Sequence, residues 1–137
     1  MDGFARFTFS FFNTKVILEY VPYLLEGLVV TISLSVLVVL SGLSLGFLLA
    51  LLRAAGIRAV NLLIVLFVDV IRSVPPLVII ILLFFGLPSA GISVSGFVAV
   101  WFSLAAVLMA FSEEIFWAGI TAVDKGQWEA ARSTGLT

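Results

Sequence analysis

The sequence contains no cysteine and no histidine. Disulfide bonds, thiolate chemistry, Cys/His zinc sites and acid–base catalysis by histidine are thereby excluded. Charge is scarce as well. Only 11% of the 137 residues are charged and the formal net charge is −1, so no basic surface points to nucleic acid. Ordinary soluble domains are about 25% charged and about 45–50% apolar. This chain is 63% hydrophobic, with a mean hydropathy of +1.31. A soluble fold of this size would leave large apolar patches in water, where they aggregate. The composition therefore predicts an all-α membrane protein.

A cleavable signal peptide is not expected either. Met1 to Lys15 is a run of phenylalanines broken by Arg6 and Lys15, without an apolar h-region of about 7–15 residues. The first true span is expected to act as an uncleaved signal. The phenylalanines at positions 4, 7, 9, 11 and 12, with Tyr20 and Tyr23, read as an interfacial aromatic belt, which makes residues 1–26 an anchoring segment.

Gly27 to Leu52 holds no charged residue. As a helix its 26 residues would be roughly 39 Å long, enough to cross a hydrocarbon core of about 30 Å. Ser73 to Ser112 is charge-free over 40 residues, too long for one span. The Gly86–Gly91 cluster, with Pro88 inside it, is a turn signal that divides it. The piece before the turn is too short to cross alone, so the second span is expected to start near Asn61 and carry Asp69 and Arg72. Expected spans are thus about 27–52, 61–86 and 93–112 within a transmembrane domain of residues 27–120, followed by a cytoplasmic segment, 121–137. Arg53 and Arg58 in the first loop, and Lys125 and Arg132 in the tail, put both on the cytoplasmic side by the positive-inside rule. The N-terminus and the Gly86–Gly91 turn then face outside.

Span one carries small residues at fourfold spacing, Gly27, Thr31 and Ser35, then Gly42, Gly46 and Ala50. They fall along one helix face and suit close packing of another helix, with Gly42 and Gly46 at its centre. Asp69 and Arg72, three apart, share a face. A lone charge at mid-span costs about 2.5–3.5 kcal/mol, so the two are expected to pair, as a neutral unit or as an element of a gate or pathway. Pro75 is expected to kink span two just beyond them. Glu113 and Glu114 are expected to end span three. Adjacent helical residues point about 100° apart, which makes no tight carboxylate dyad and no enzymatic site.

The tail from Val123 to Gly135 reads as a short cytoplasmic helix. Asp124 with Gln127 forms a capping-box pattern, Glu129 to Arg132 favour helix, and Gly135 suits a left-handed C-terminal cap. Such a helix is a suitable knob for docking another protein.

Glu129-Ala130-Ala131-x-x-x-Gly135 resembles the start of the EAA motif of bacterial ABC importer permeases, and Gly126-Gln127-Trp128-Glu129-Ala130-Ala131-Arg132 resembles the polar amino acid permease family in particular. Glu114-Ile115-Phe116-x-x-Gly119-Ile120-x-x-Val123-x-Lys125-Gly126-Gln127, Ile71-Arg72-Ser73-Val74-Pro75-Pro76-Leu77, Phe84-Phe85-Gly86-Leu87-Pro88 and Leu25-Glu26-Gly27-Leu28-x-x-Thr31 match that family in order. The resemblance implies a transport subunit, not an enzyme, carrying a small polar solute such as an amino acid. It implies no cofactor in this chain, with ATP and Mg held by a partner ATPase dimer. A second permease subunit, a solute-binding protein outside and the bacterial inner membrane complete the assembly it implies. Gly126, Gln127, Glu129, Ala130, Ala131 and Gly135 then belong to a coupling helix, and Arg72 and Pro75 match span-two positions of the family. Family members continue through two further spans, so this chain is expected to supply part of a five-helix core. Two positions depart from the pattern: Trp117 replaces a usual arginine, and Glu113 stands where a small residue is common. The competing expectations are a small proton-coupled carrier using Glu113 or Glu114, and a membrane scaffold.

Overall fold

The computed structural model describes residues 3–135. Residues 1–2 of the expected anchoring segment and 136–137 of the expected cytoplasmic segment lie outside them. The described residues form helices α1 (Gly3–Phe11), α2 (Thr14–Ala54), α3 (Arg58–Ser73), α4 (Pro76–Ile81), a π turn (Leu82–Gly86), α5 (Leu87–Ser89), α6 (Gly96–Thr121) and α7 (Lys125–Ser133). The chain is an all-α membrane protein. Arg6–Ala54 and Gly96–Thr121 are each long and apolar enough to cross a bilayer, and the bent pair Arg58–Ser73 with Pro76–Ser89 is a third candidate.

Two compact units divide the chain, one up to Ser35 and one from Val36. In the first, α1 stacks Phe7 on Phe11 with ring centroids 4.8 Å apart. Asn13 stops α1 and starts α2, its side-chain oxygen accepting from the backbone N–H of Lys15 at 3.2 Å and of Val16 at 3.5 Å. That is an N-cap, which satisfies donors a helix start leaves orphaned. The helix that contains the expected first span thus begins at Thr14, upstream of the aromatic residues Tyr20 and Tyr23.

In the second unit, α3 turns Ile64 and Val68 onto Ala110 of α6, with Val60, Ile71 and Leu49 of α2 alongside. The 60, 64, 68, 71 spacing is a single helix face. Small residues on α6, among them Ala99, Ser103, Ala105 and Ala110, are buried and let the helices approach closely. Ser95 caps α6, its hydroxyl oxygen accepting from the N–H of Val98 at 3.3 Å.

Several expectations are corrected. A proline kink in span two is too mild: α3 ends at Ser73, and the following segment leaves at 97°. Val74 (φ −100°, ψ 127°) and Pro75 (φ −56°, ψ 136°) are both extended. A residue before proline is pushed out of the helical region, and with Pro75 and Pro76 in tandem this happens twice running. The Gly86–Gly91 turn shrinks to Ala90 and Gly91, the latter at φ +84°; Gly86 and Pro88 stay helical. Pro88 has no N–H for the carbonyl of Phe84 and crowds it, and the wider π turn relieves that crowding. Glu113 and Glu114 lie well inside α6, which continues to Thr121. Asp124 occupies the N-cap of α7 but makes no side-chain cap. Its main-chain carbonyl accepts from Gln127 N at 3.0 Å, and water serves its exposed carboxylate equally well. Gly135 closes the tail at φ +86°.

Candidate functional site

Among the described residues, three groups within the helical bundle carry polar chemistry. The first is the α2–α6 seam. Gly42, Gly46 and Ala50 are buried on one stripe of α2. A Cβ at Gly42 would stand 2.8 Å from Leu108 Cβ. One at Gly46 would run into Ser112 Oγ and stand 2.8 Å from the carbonyl oxygen of Met109. Glycine is needed there for backbone approach. The seam also carries hydrogen bonds between helices: Ser112 Oγ donates to the Gly42 carbonyl at 3.2 Å, and Trp101 Nε1 donates to Ser41 Oγ at 3.2 Å.

The second group closes that seam at the end of α2. Arg53 Nη1 lies 3.1 Å and 3.3 Å from the two carboxylate oxygens of Glu113. Glu113 is fully buried and the Arg53 side chain is 19% exposed. The guanidinium carbon sits 4.5 Å from the ring centroid of Trp117, within cation–π range. One turn of α6 separates Glu113 from Trp117, so they present one face to one arginine. Phe47 packs edge-on against Phe116 beside them, centroids 5.3 Å apart. Glu113 and Trp117 therefore act together, on a common partner.

The third group is at the helix break. Arg72, in the last turn of α3, pairs with Glu114 of α6, with the guanidinium carbon 5.1 Å from the Phe111 ring. Its partner is not Asp69. That correction has a simple cause: a carboxylate from a facing helix can approach end-on, whereas Asp69 is held three residues back on the same helix. Among the described residues Asp69 has no ion pair. It opens with Arg72, Ser73 and Phe111 onto a cavity of about 470 Å³. This pair is half exposed, Arg72 at 33% and Glu114 at 50%. Pro75 stands at the break directly beyond.

Adjacent glutamates on α6 thus serve different helices, Glu113 holding α2 and Glu114 holding α3. The burial of Glu113 against Arg53 does not favour a proton carrier working through that residue. The seam arginine was visible in the sequence only as a loop charge. The signal that could have singled it out was the Glu113-x-x-x-Trp117 spacing facing the one charge at the end of a charge-free span.

Alpha7 places Gly126, Gln127, Glu129, Ala130 and Gly135 at the surface, with Ala131 half-buried. Trp128 on the same short helix is 55% exposed. Among the described residues no cluster of His, Cys, Asp or Glu could hold a metal.

No protein-family model matches the chain. It is 35% identical over 126 residues to the Bacillus subtilis (strain 168) protein named Probable amino-acid ABC transporter permease protein YckA, covering 92% of this chain and 56% of that one. It is 34% identical over 125 residues to the same organism's Probable glutamine ABC transporter permease protein GlnM, covering 91% and 58%. A crystal structure of an amino acid ABC transporter with histidines superposes with a TM-score of 0.81 at 38% identity, over 89% of this chain and 57% of that chain. The chain spans a little over half the length of these relatives.

Proposed function

We propose that this chain, homologous over most of its length to amino-acid ABC transporter permeases, forms part of the membrane-spanning permease subunit of an ABC importer for amino acids. It sits in the bacterial inner membrane, with the N-terminus outside and α7 in the cytoplasm. A partner ATPase dimer, holding ATP and Mg, supplies the energy. A second permease subunit completes the pathway and an extracytoplasmic binding protein delivers the solute.

The observation that carries this reading is the charged group at the helix break. An amino acid is a zwitterion, and it needs a cation for its carboxylate and an anion for its ammonium in a place that water still reaches. Arg72, Asp69 and Glu114 offer both signs beside an open cavity. Intramembrane ionisable residues that face a cavity are candidates for solute routes. Proline-broken helices lend freed backbone groups to such cavities. On the other side, α7 offers an exposed Trp128 and the small residues Ala130 and Ala131, so a groove of the ATPase could seat it closely. Gly126 and Gln127 lie in its first turn, Glu129 adds a charged contact and Gly135 ends it.

The test is reconstitution of the full-length permease with its ATPase and binding protein in proteoliposomes. ATP-dependent uptake of a labelled amino acid is expected, with uptake lost in Arg72→Ala while the ATPase still co-purifies. Ala130→Asp and Gly135→Asp are expected to lose the ATPase without losing membrane insertion. Normal ATPase yield with both variants would overturn the docking role of α7. Unimpaired uptake in Arg72→Ala would overturn the pathway assignment.

A further inference from the structure

Two arginine–glutamate pairs tie α6 to its neighbours, and they differ in the property that decides whether an ion pair can open. The Arg72–Glu114 pair is half exposed beside a cavity. Water can take over each partner, so opening costs little. The Arg53–Glu113 pair is shut in: the carboxylate has no solvent contact and the guanidinium is covered by Trp117. Separating those two would strand a buried charge. The stripe above reinforces it, because Gly46 has backbone of α6 against it and Ser112 is bonded to Gly42. One pair is built to exchange partners and the other to stay closed.

Trp117 and Glu113 lie in the last third of α6, an unbroken helix up to Thr121. Only Ala122, Val123 and Asp124 separate it from α7. Arg53 lies in the last turn of α2, just before the short connection to α3. Only the short α6–α7 connection separates α7 from the α6 segment that grips Arg53.

We propose that the Arg53–Glu113–Trp117 clasp makes α6 and the end of α2 a single rigid body, so that movement of α7 carries both helices together while the α3 contact through Arg72–Glu114 opens and closes. Glu113 and Trp117 are positioning residues in this scheme and touch no solute. The proposal rests on α7 being the coupling helix.

These 137 residues hold no cysteine, and any cysteine elsewhere in the full-length permease is replaced before labelling. In the full-length permease assembled with its ATPase in nanodiscs, spin labels are placed through Leu52→Cys on α2 and Ile115→Cys on α6, both exposed positions outside the clasp. The distance between them is compared without nucleotide and with ATP trapped. It is expected to hold within about 2 Å, the scale of ordinary helix adjustments; a larger change overturns the proposal. In transport assays Glu113→Gln is expected to leave ATPase association intact and lower solute moved per ATP about fivefold or more. The exchange Arg53→Glu with Glu113→Arg is expected to recover part of the loss. Wild-type uptake per ATP in Glu113→Gln would also overturn the clasp. A wild-type permease that does not associate with the ATPase would instead show that the reading of α7 is wrong, before any clasp variant is made.

Discussion

Ser112 donates its hydroxyl hydrogen to the main-chain carbonyl of Gly42, 3.2 Å away on the facing helix. Gly46 makes room for that hydroxyl, because a Cβ there would run into Ser112 Oγ. The bond joins α6 to the α2 backbone, and the Arg53–Glu113 pair lies further along the same seam.

Glycine substitutions should rank by what lies opposite them. Gly46→Ala meets main-chain atoms of Met109 and Glu113, which cannot move singly, and is expected to destabilise the permease by about 1–3 kcal/mol. Gly42→Ala meets the side chain of Leu108, which can shift, and should cost less. Gly27→Ala faces open space and should be neutral or gain up to about 1 kcal/mol of helix propensity. Thermal unfolding in detergent, followed by circular dichroism, reads the order; a Gly27 variant as damaging as the Gly46 variant contradicts it.

The two arginines should separate in stability. Arg53→Ala leaves Glu113 buried and uncompensated, a loss of about 3–5 kcal/mol. Arg72→Ala leaves Glu114 half in water, a loss of about 1 kcal/mol or less. The same unfolding measurement applies, and equal losses would show that the burial difference between the pairs is not decisive.

Removal of one proline should not straighten the chain. Pro75→Ala leaves Pro76, which still holds residue 75 extended; only Pro75→Ala with Pro76→Ala lets α3 run on into α4. Spin labels at Leu62→Cys and Leu82→Cys would then stand about 30 Å apart, as on one continuous helix, against a shorter distance across the 97° bend. Straightening by the single variant would show that Pro75 alone makes the break.

The end of α7 should depend on a left-handed residue. Gly135 has φ +86° with nothing near its missing Cβ, so Gly135→Ala suffers from backbone strain alone, about 1–2 kcal/mol. Amide hydrogen exchange is expected to quicken over Arg132 to Thr134 and to stay unchanged in α6. Unchanged protection in that turn would argue against the cap.

Composition, the two charge-free stretches and the residue order of the tail were enough to indicate the helical membrane class, a short helix at the end and the glycine stripe of α2. Those properties are local: burial of apolar length, helix propensity and spacing along one helix depend only on neighbours in the chain. Tandem prolines were equally visible, but the size of the bend was not, because it takes two consecutive extended residues rather than one kink. Partner choice belonged to the tertiary structure alone. Arg72 shares a helix face with Asp69 yet meets Glu114, and Arg53 looks like a loop charge yet is enclosed by Glu113 and Trp117. An ion pair forms wherever packing brings two opposite charges together out of water, and sequence spacing governs that only within a single helix.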